Sequence, residues 1–445
     1  MKNYTRVEIL ESAKENNVRY VRLQFTDMLG VVKNVEIPVT NLERALANEI
    51  MFDGSSIQGF VRIDEADMYL YPDLSTWLIL EWEQLPEGKV ARLICDVYTT
   101  EHLPFEGDPR YILKKNLEKL KALDIEKFNI GVEPEFFLFK LDEKGKPTME
   151  FSDLGGYFDL APIDGSEDVR RDIVLELEKM GFDMEVSHHE VAYGQHEINF
   201  HFDNALEACD NIQTFKIVVK NVARRHGYHA TFMPKPIQGI NGSGMHTNCS
   251  LSKGGVNLFY DPNTENQLSD VALKFIAGVM KYAQEFALLT NPTINSYKRL
   301  VPGYEAPCYI SWSDANRSTM IRIPAARGKG TRIEVRSVDP SANPYLAMSG
   351  LLASGIEGIK NDLNSLVPVK KNLFKMSDQE RKRLGIKNLP ESLKEAIDSF
   401  SNSSLMKDVV GDFLYTKLIE AKTKEWDEYK VRVTAYELEK YLPII

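Results

Sequence analysis

Val132-Glu133-Pro134-Glu135-Phe136-Phe137-Leu138-Phe139 is the stretch on which the fold turns. Side chains of a strand alternate between its faces, so Glu133 and Glu135 share one face. The apolar run that follows marks the strand as buried, and glutamate is almost never buried unless it is paired. Like charges about 4 Å apart repel by roughly 4 kcal/mol at an effective dielectric near 20. Acids side by side on such a strand need a cation between them. A second strand, Arg332-Ile333-Glu334-Val335-Arg336, places Arg332, Glu334 and Arg336 on one face. That pattern offers a metal ligand flanked by anion clamps. Together the two strands point to a metal site for a phosphorylated substrate, and so to an enzyme.

More acids join this set. Glu190 and Glu197 lie in His188-His189-Glu190-Val191-Ala192-Tyr193-Gly194-Gln195-His196-Glu197. Hard cations such as Mg²⁺ and Mn²⁺ take oxygen ligands, with water and substrate phosphate completing the shell. His246, in Asn241-Gly242-Ser243-Gly244-Met245-His246, adds an imidazole that shifts the preference slightly toward Mn²⁺. The glycines of that segment let backbone approach a ligand closely. Arg317, Arg322, Arg327, Lys329, Arg332 and Arg336 form a basic set interleaved with Ile321, Ile323, Ile333 and Val335. Arginine grips carboxylates and phosphates bidentately. The run from Tyr297 to Pro307 is punctuated by Pro302, Gly303 and Pro307, as in an ordered loop that can close over a site.

Composition bounds the rest. The chain has 445 residues, room for two domains, and is 43% apolar and 27% charged. A net charge of -11 argues against nonspecific nucleic-acid binding, which rewards positive charge. No P-loop pattern occurs. Cys95, Cys209, Cys249 and Cys308 are scattered, which suits free thiols in a reducing compartment. The first residues are polar with no apolar signal core, and no stretch approaches the roughly 20 apolar residues that span a bilayer. A cytoplasmic location with no membrane contact is therefore expected.

Periodicity predicts strand, turn and strand over 18–38, a short helix over 41–48 and a strand over 91–98, a small module ending near residue 103. Asp108 and Pro109 suit the N-cap and first turn of a helix with Leu113, Leu117 and Leu120 on its apolar stripe. Further helices are predicted over 168–180, 213–225, 271–289 and from Pro344 to about Lys360. Strands are predicted over 129–140, 184–190, 196–203, 246–251, 309–313 and 331–338. Beyond about residue 365 the chain reads as charged surface helix. Irregular alternation of strand groups and helices favours an α+β fold.

These residues in this order resemble class I glutamine synthetase along essentially the whole chain. The resemblance rests on Met51-Phe52-Asp53-Gly54-Ser55-Ser56-Ile57, Glu133-Pro134-Glu135, His189 to Glu197, Asn241 to His246, Lys298 to Pro307, Asn316-Arg317-Ser318 and Arg332 to Arg336. It implies an N-terminal β-grasp-like domain (1–103) and a catalytic domain (104–445) of curved antiparallel sheet flanked by helices. It also implies ligation of ammonium to the γ-carboxylate of L-glutamate through γ-glutamyl phosphate, driven by ATP. Two or more Mg²⁺ or Mn²⁺ ions per subunit are implied, one held by Glu135, Glu190 and Glu197, the other by Glu133, His246 and Glu334. Glutamate would meet Asn241, Gly242, Arg299, Glu305, Arg317 and Arg336. ATP would meet Glu185, Phe202, Asn248, Ser250, Arg317, Arg322 and Lys329. Asp53, Glu305 and Arg317 would be catalytic, with Asp53 reaching the site of an adjacent subunit and Glu305 on a closing flap.

The resemblance further implies a dodecamer of two stacked hexamers. Phe374, in Lys371-Asn372-Leu373-Phe374, stands where some class I enzymes carry an adenylylated tyrosine, so that control is expected to be absent. The chain instead resembles the shorter α branch, regulated by feedback and by small protein partners, with Arg62 in glutamine inhibition. A ligase for a larger amine would share most of these residues, but Asp53 with Gly54-Ser55-Ser56 favours ammonium. A two-metal hydrolase fits the acids and not the arginine clamps.

Overall fold

The computed structural model describes residues 4–55, 57, 67–314, 316–364 and 367–445. Arg62 lies outside the described residues. The N-terminal strands are β1 (Val18–Thr26), β2 (Val32–Pro38), β3 (Ile50–Asp53), β4 (Asp67–Pro72), β5 (Leu78–Leu85) and β6 (Gly88–Tyr98). They form one sheet in the order β2-β1-β6-β4-β3, with β5 also on β6. The two central strands, β1 and β6, run parallel. The expected alternation holds: Val21, Leu23 and Phe25 enter a core with Leu93 and Val97, closed by Ile9 and Ala13 of the helix Arg6–Glu15. The turn after β1 needs Gly30, whose φ is +84° and where a Cβ would stand 2.9 Å from the Cα of Asn343.

The remaining strands are β7 (Lys127–Leu141), β8 (Pro147–Phe151), β9 (Met184–His189), β10 (Gln195–Phe200), β11 (Asp203–Asn204), β12 (Tyr228–Thr231), β13 (Met245–Lys253), β14 (Val256–Asn257), β15 (Trp312–Ser313), β16 (Ile321–Arg322) and β17 (Ile333–Val335). Their sheet runs β15-β16-β17-β13-β7-β10-β9, with short strands flanking β7 and β13. Its pairs are antiparallel except β15 with β16. The centre is β7, the stretch first quoted. One face of β7 sends Phe128, Ile130, Val132, Phe136 and Leu138 into the main core, together with the apolar sides of the helices Ala205–Arg225, Asp270–Lys281 and Pro344–Lys360. The other face carries Glu133 and Glu135, and beyond them Phe137 and Phe139 in a small separate cluster.

Several expectations need correction. The helix expected from residue 213 begins at Ala205, where Asn204 accepts the Glu207 amide as N-cap. The single helix expected over 271–289 is two, Asp270–Lys281 and Ala283–Thr290, broken at Tyr282. The strand expected over 331–338 shrinks to Ile333–Val335 because side chains take the next carbonyls. Arg299 donates to the Arg336 and Ser337 oxygens at 3.0 and 2.9 Å, and Asn291 donates to Ser337 at 2.7 Å. The strand expected over 309–313 keeps only Trp312–Ser313, since residues 308–310 pair instead with the loop at 387–389. The region beyond 365 is not all surface: Leu393, Phe400, Met406, Val410 and Leu414 are core.

A buried ion cluster joins the two sheets. Arg110, 2% exposed, donates to Asp73 and Asp96 of the N-terminal module at 2.7 and 2.8 Å, and to Asp210 of the helix Ala205–Arg225 at 2.8 Å. Tyr345 also donates to Asp210, at 2.7 Å. Removing one member of such a cluster strands the others without a counter-charge. Arg110→Met is expected to lower stability by about 3–5 kcal/mol, read as a shift of the urea unfolding midpoint.

Candidate active site

Register assembles the site from the backbone outward. Across β7 and β13, Glu133 faces His246; across β7 and β10, Glu135 faces Glu197; across β10 and β9, Glu197 faces His188. On the other flank Glu334 faces Asn248 of β13 and Arg322 of β16. Directly opposed residues point to the same face with Cβ atoms about 4.5–5.5 Å apart. A row of acids, imidazoles and arginines therefore runs across the open face of the sheet. His246 Nδ1 lies 3.4 Å from Glu133 and 3.7 Å from Glu334, and its Nε2 lies 3.9 Å from Glu135. His188 lies 3.5 Å from Glu190 and 3.4 Å from Glu197.

A cavity of about 280 Å³ opens on this row. Glu133, Glu135, Glu190, Glu197 and His246 line it together with Arg299, Arg317, Arg322, Arg336, Asn241, Gly242 and Glu305. Glu334 is buried at the arginine flank, 2.9 Å from Arg322 and 2.7 Å from Arg336. A second cavity, about 250 Å³, shares Glu133 with the first and gathers Glu185, Phe202, Asn248, Ser250 and Lys329. Gly131 beneath it has no room for a side chain: a Cβ would stand 3.0 Å from that of Phe202. Arg317, expected on both glutamate and the nucleotide, and Arg322, expected on the nucleotide, line the acidic cavity and not the second one. Asp53, at the end of β3, is exposed and lines neither.

Sequence reasoning assigned no role to three residues that the structure brings in, Gln195, Tyr157 and His188, and it left Arg332 as a general anion clamp. Arg332 lines the second cavity and donates to Asn248 at 3.0 Å, which donates in turn to Glu133 at 2.9 Å. Gln195 donates to Glu135 at 2.8 Å. Tyr157 lines the acidic cavity beside His188. His188 completes a trio with Glu190 and Glu197 whose ligand atoms lie within 4.8 Å of one another, as do those of Glu133, His246 and Glu334. Glu135 pairs directly across the sheet with Glu197, next to that trio. His188 and Glu190 are two residues apart, so the alternation that revealed Glu133 and Glu135 also carried this signal.

The glutamine synthetase catalytic-domain family model matches residues 106–441, and the family's β-grasp-domain model matches residues 17–100. The chain belongs to the glutamine synthetase family. It is 58% identical to a glutamine synthetase of Staphylococcus aureus (strain MRSA252) over 441 residues, covering 99% of each chain. It is 57% identical to one of Staphylococcus epidermidis, again covering 99% of each. Among solved structures it is similar to a GmaS/ADP complex (TM-score 0.89, 30% identity, 98% of this chain and 99% of that one). It is also similar to Plasmodium falciparum glutamine synthetase (TM-score 0.88, 26% identity, 99% of each). The chain is thus a ligase of two domains, a β-grasp and a catalytic domain, that forms glutamine from glutamate and ammonium with ATP. No helix among the described residues is long and apolar enough to cross a membrane.

A glutamine synthetase requires a divalent ion, and the donor set here fits one. Burial, and then the charges of Glu190 and Glu197, push the Glu135 carboxyl well up. Burial and Glu197 push Glu190 to about 7, with His188 opposing. Glu133 is the contrast. Burial acts against its ionisation, yet hydrogen bonds from His246 and Asn248 and the charge of Arg336 hold it down to about 2. Protein cations thus satisfy the Glu133 end and leave the Glu135–Glu190 end crowded with negative charge. Carboxylate oxygens with an imidazole suit Mg²⁺ or Mn²⁺.

A third group, Asp153 with His189 and His196, is fully buried but is not built for a metal. Arg170 donates to His196 Nδ1 at 3.0 Å, and Asp153 already accepts from His189 and Ser166 at 2.7 Å each. His189 also donates to the Glu190 carbonyl at 2.7 Å, so this group braces the turn that carries Glu190. Removing divalent ions with a chelator is expected to lower the thermal midpoint, and Mg²⁺ or Mn²⁺ to restore it. An ion at a hundred times its Kd contributes about 2.7 kcal/mol, several degrees by scanning fluorimetry.

Proposed function

We propose that the acidic cavity joins ammonium to the γ-carboxylate of glutamate, with two divalent ions on its glutamate side chains and ATP in the adjoining cavity. The observation that carries this reading is the shared wall at Glu133. It puts the Phe202–Ser250–Lys329 cavity in register with the cavity of acids and arginines. Glu135, Glu190 and Glu197 would hold one ion, with His188 beside them; Glu133, His246 and Glu334 would hold the other. Bound there, divalent ions neutralise the oxygens of the transferring phosphoryl group.

In this reading Arg299, Arg336 and the Asn241-Gly242 backbone orient glutamate so that its γ-carboxylate faces the terminal phosphoryl group of ATP. The carboxylate takes that group and ADP leaves. Arg317 and Arg322 stabilise the charge that develops, on the glutamate side where they lie. Ammonia then attacks the acyl phosphate and phosphate departs. Ammonium is not a nucleophile until it loses a proton, and Asp53 of an adjacent subunit with Glu305 serves as the acceptor. Glu305 also covers the intermediate against water. The adenosine end of ATP rests on Phe202, with Glu185, Asn248, Ser250 and Lys329 around it.

The same reading includes a cytoplasmic enzyme assembled as a dodecamer of two stacked hexamers, with a domain boundary near residue 103. It belongs to the α branch, with feedback inhibition, small protein partners and no tyrosine adenylylation, since Phe374 has no hydroxyl. Glu305→Ala is expected to raise the ammonium KM and to release more than one phosphate per glutamine formed, measured by parallel phosphate and glutamine assays. Glutamine formation with one phosphate each would remove the flap role. Arg62→Ala is expected to weaken inhibition by glutamine about tenfold, the value of one charge-assisted contact. An unchanged glutamine titration would remove Arg62 from regulation.

A further inference from the structure

Lys235 is a buried cation behind the Asn241-Gly242 loop, and it lines neither cavity. Its backbone is clamped on both sides by Asn295, whose oxygen accepts the Lys235 amide at 2.7 Å and whose nitrogen donates to the Lys235 carbonyl at 2.9 Å. Its stem packs under Gly242: a Cβ there would stand 3.2 Å from Lys235 Cδ, 3.3 Å from Arg299 Cγ and 2.2 Å from the Pro234 oxygen. Its Nζ donates to the Ile240 carbonyl and lies 3.8 Å from the centre of the Tyr304 ring. One side chain thus touches both the loop that meets glutamate and the loop that precedes Glu305. Burial and the nearby Arg299 charge lower its pKa only to about 8, so it carries its charge at neutral pH.

The loop it touches needs holding. Glu305 has φ +63° and Gly303 has φ +98°. A non-glycine residue at positive φ is disfavoured and persists only where the surroundings fix it. Asn241 donates to Glu305 at 3.4 Å, a long bond. The cation on the Tyr304 ring, 3.8 Å from its centre, is the second tie.

We propose that Lys235 is a positioning residue that latches the Tyr304–Glu305 loop onto the Asn241-Gly242 loop and so keeps water from the acyl phosphate. This rests on the reading of Glu305 as the flap. With the latch undone, water adds to the γ-carbonyl carbon of γ-glutamyl phosphate and the bond from that carbon to the phosphate oxygen breaks. Glutamate and phosphate leave, and the proton goes to solvent. The net reaction is ATP hydrolysis, with no glutamine formed.

The test is the ratio of phosphate released to glutamine formed at saturating ATP, glutamate and ammonium, in the assembled enzyme. Wild type is expected near one. Lys235→Gln and Tyr304→Leu are each expected to raise the ratio about threefold or more, the scale set by one cation–ring contact. Lys235→Arg and Tyr304→Phe, which keep a cation and a ring, are expected to restore it. The double variant Lys235→Gln with Tyr304→Leu should be no more uncoupled than Lys235→Gln alone, because Lys235→Gln already removes the ring contact. A ratio that stays near one in Lys235→Gln or Tyr304→Leu, or single effects that multiply in the double variant, overturns the latch. If Lys235→Gln does not assemble, Tyr304→Leu, on a half-buried loop residue, decides alone. Should Glu305→Ala itself stay coupled, the flap reading fails and the latch with it. If Glu305→Ala uncouples while Lys235→Gln does not, only the latch fails.

Discussion

Repulsion among carboxylates on one face of a sheet is the constraint from which the rest of this molecule follows. Glu133 and Glu190 open on the same cavity, yet one is held down to about 2 and the other is pushed up to about 7. Both are glutamates in largely buried surroundings, so the difference lies in their partners. Glu133 has His246, Asn248 and Arg336; Glu190 has Glu197, with His188 in partial compensation. The side chains therefore satisfy one half of the acidic row and leave the other half to cations from outside. A divalent ion is the compact answer to such a deficit, because it neutralises two charges without adding a side chain to a cavity that must also admit substrate.

What keeps so unfavourable a row together is the opposite face of the same strand. Phe128, Ile130, Val132, Phe136 and Leu138 are buried under helices. A slip of one residue in β7 would turn the glutamates into that core and the aromatics toward the cavity. The cost of burying unpaired carboxylates there far exceeds the cost of crowding them beside a cation. Hydrophobic burial on one side thus fixes register, and register fixes the row of charges on the other.

The same logic explains what the sequence made legible. Period-two alternation identified Glu133, Glu135, Glu334 and Arg336 as neighbours on a face, because that pattern is local. His188 carried the pattern too and was passed over, its strand being short of the apolar run that flags β7. Where tertiary partners replace ladder partners, local pattern misleads. Arg299 and Asn291 occupy the carbonyls after Val335, and the loop at 387–389 pairs with residues 308–310. Both predicted strands lose their ends for that reason. Leu393, Phe400 and Met406 are core although the segments that carry them are polar and charged, since one narrow apolar stripe suffices to dock a helix. Family resemblance alone carried Asp53, Glu185, Phe202, Asn248 and Ser250, which no local pattern marks.

The placement of the arginines bears on the order of events. If the second cavity takes ATP as proposed, Lys329 and Arg332 are the cations that line it, and Arg317 and Arg322 are not. They lie instead across the shared Glu133 wall, among the acids. On the proposed reading, charge held there acts most on the phosphoryl group once it has moved to glutamate. Interactions that strengthen along the reaction path lower the barrier, whereas those equal in both states only tighten binding. On the proposed reading this placement of Arg317 and Arg322 favours transfer over mere retention of ATP, and closure of the glutamate side decides whether ammonia or water receives the acyl group.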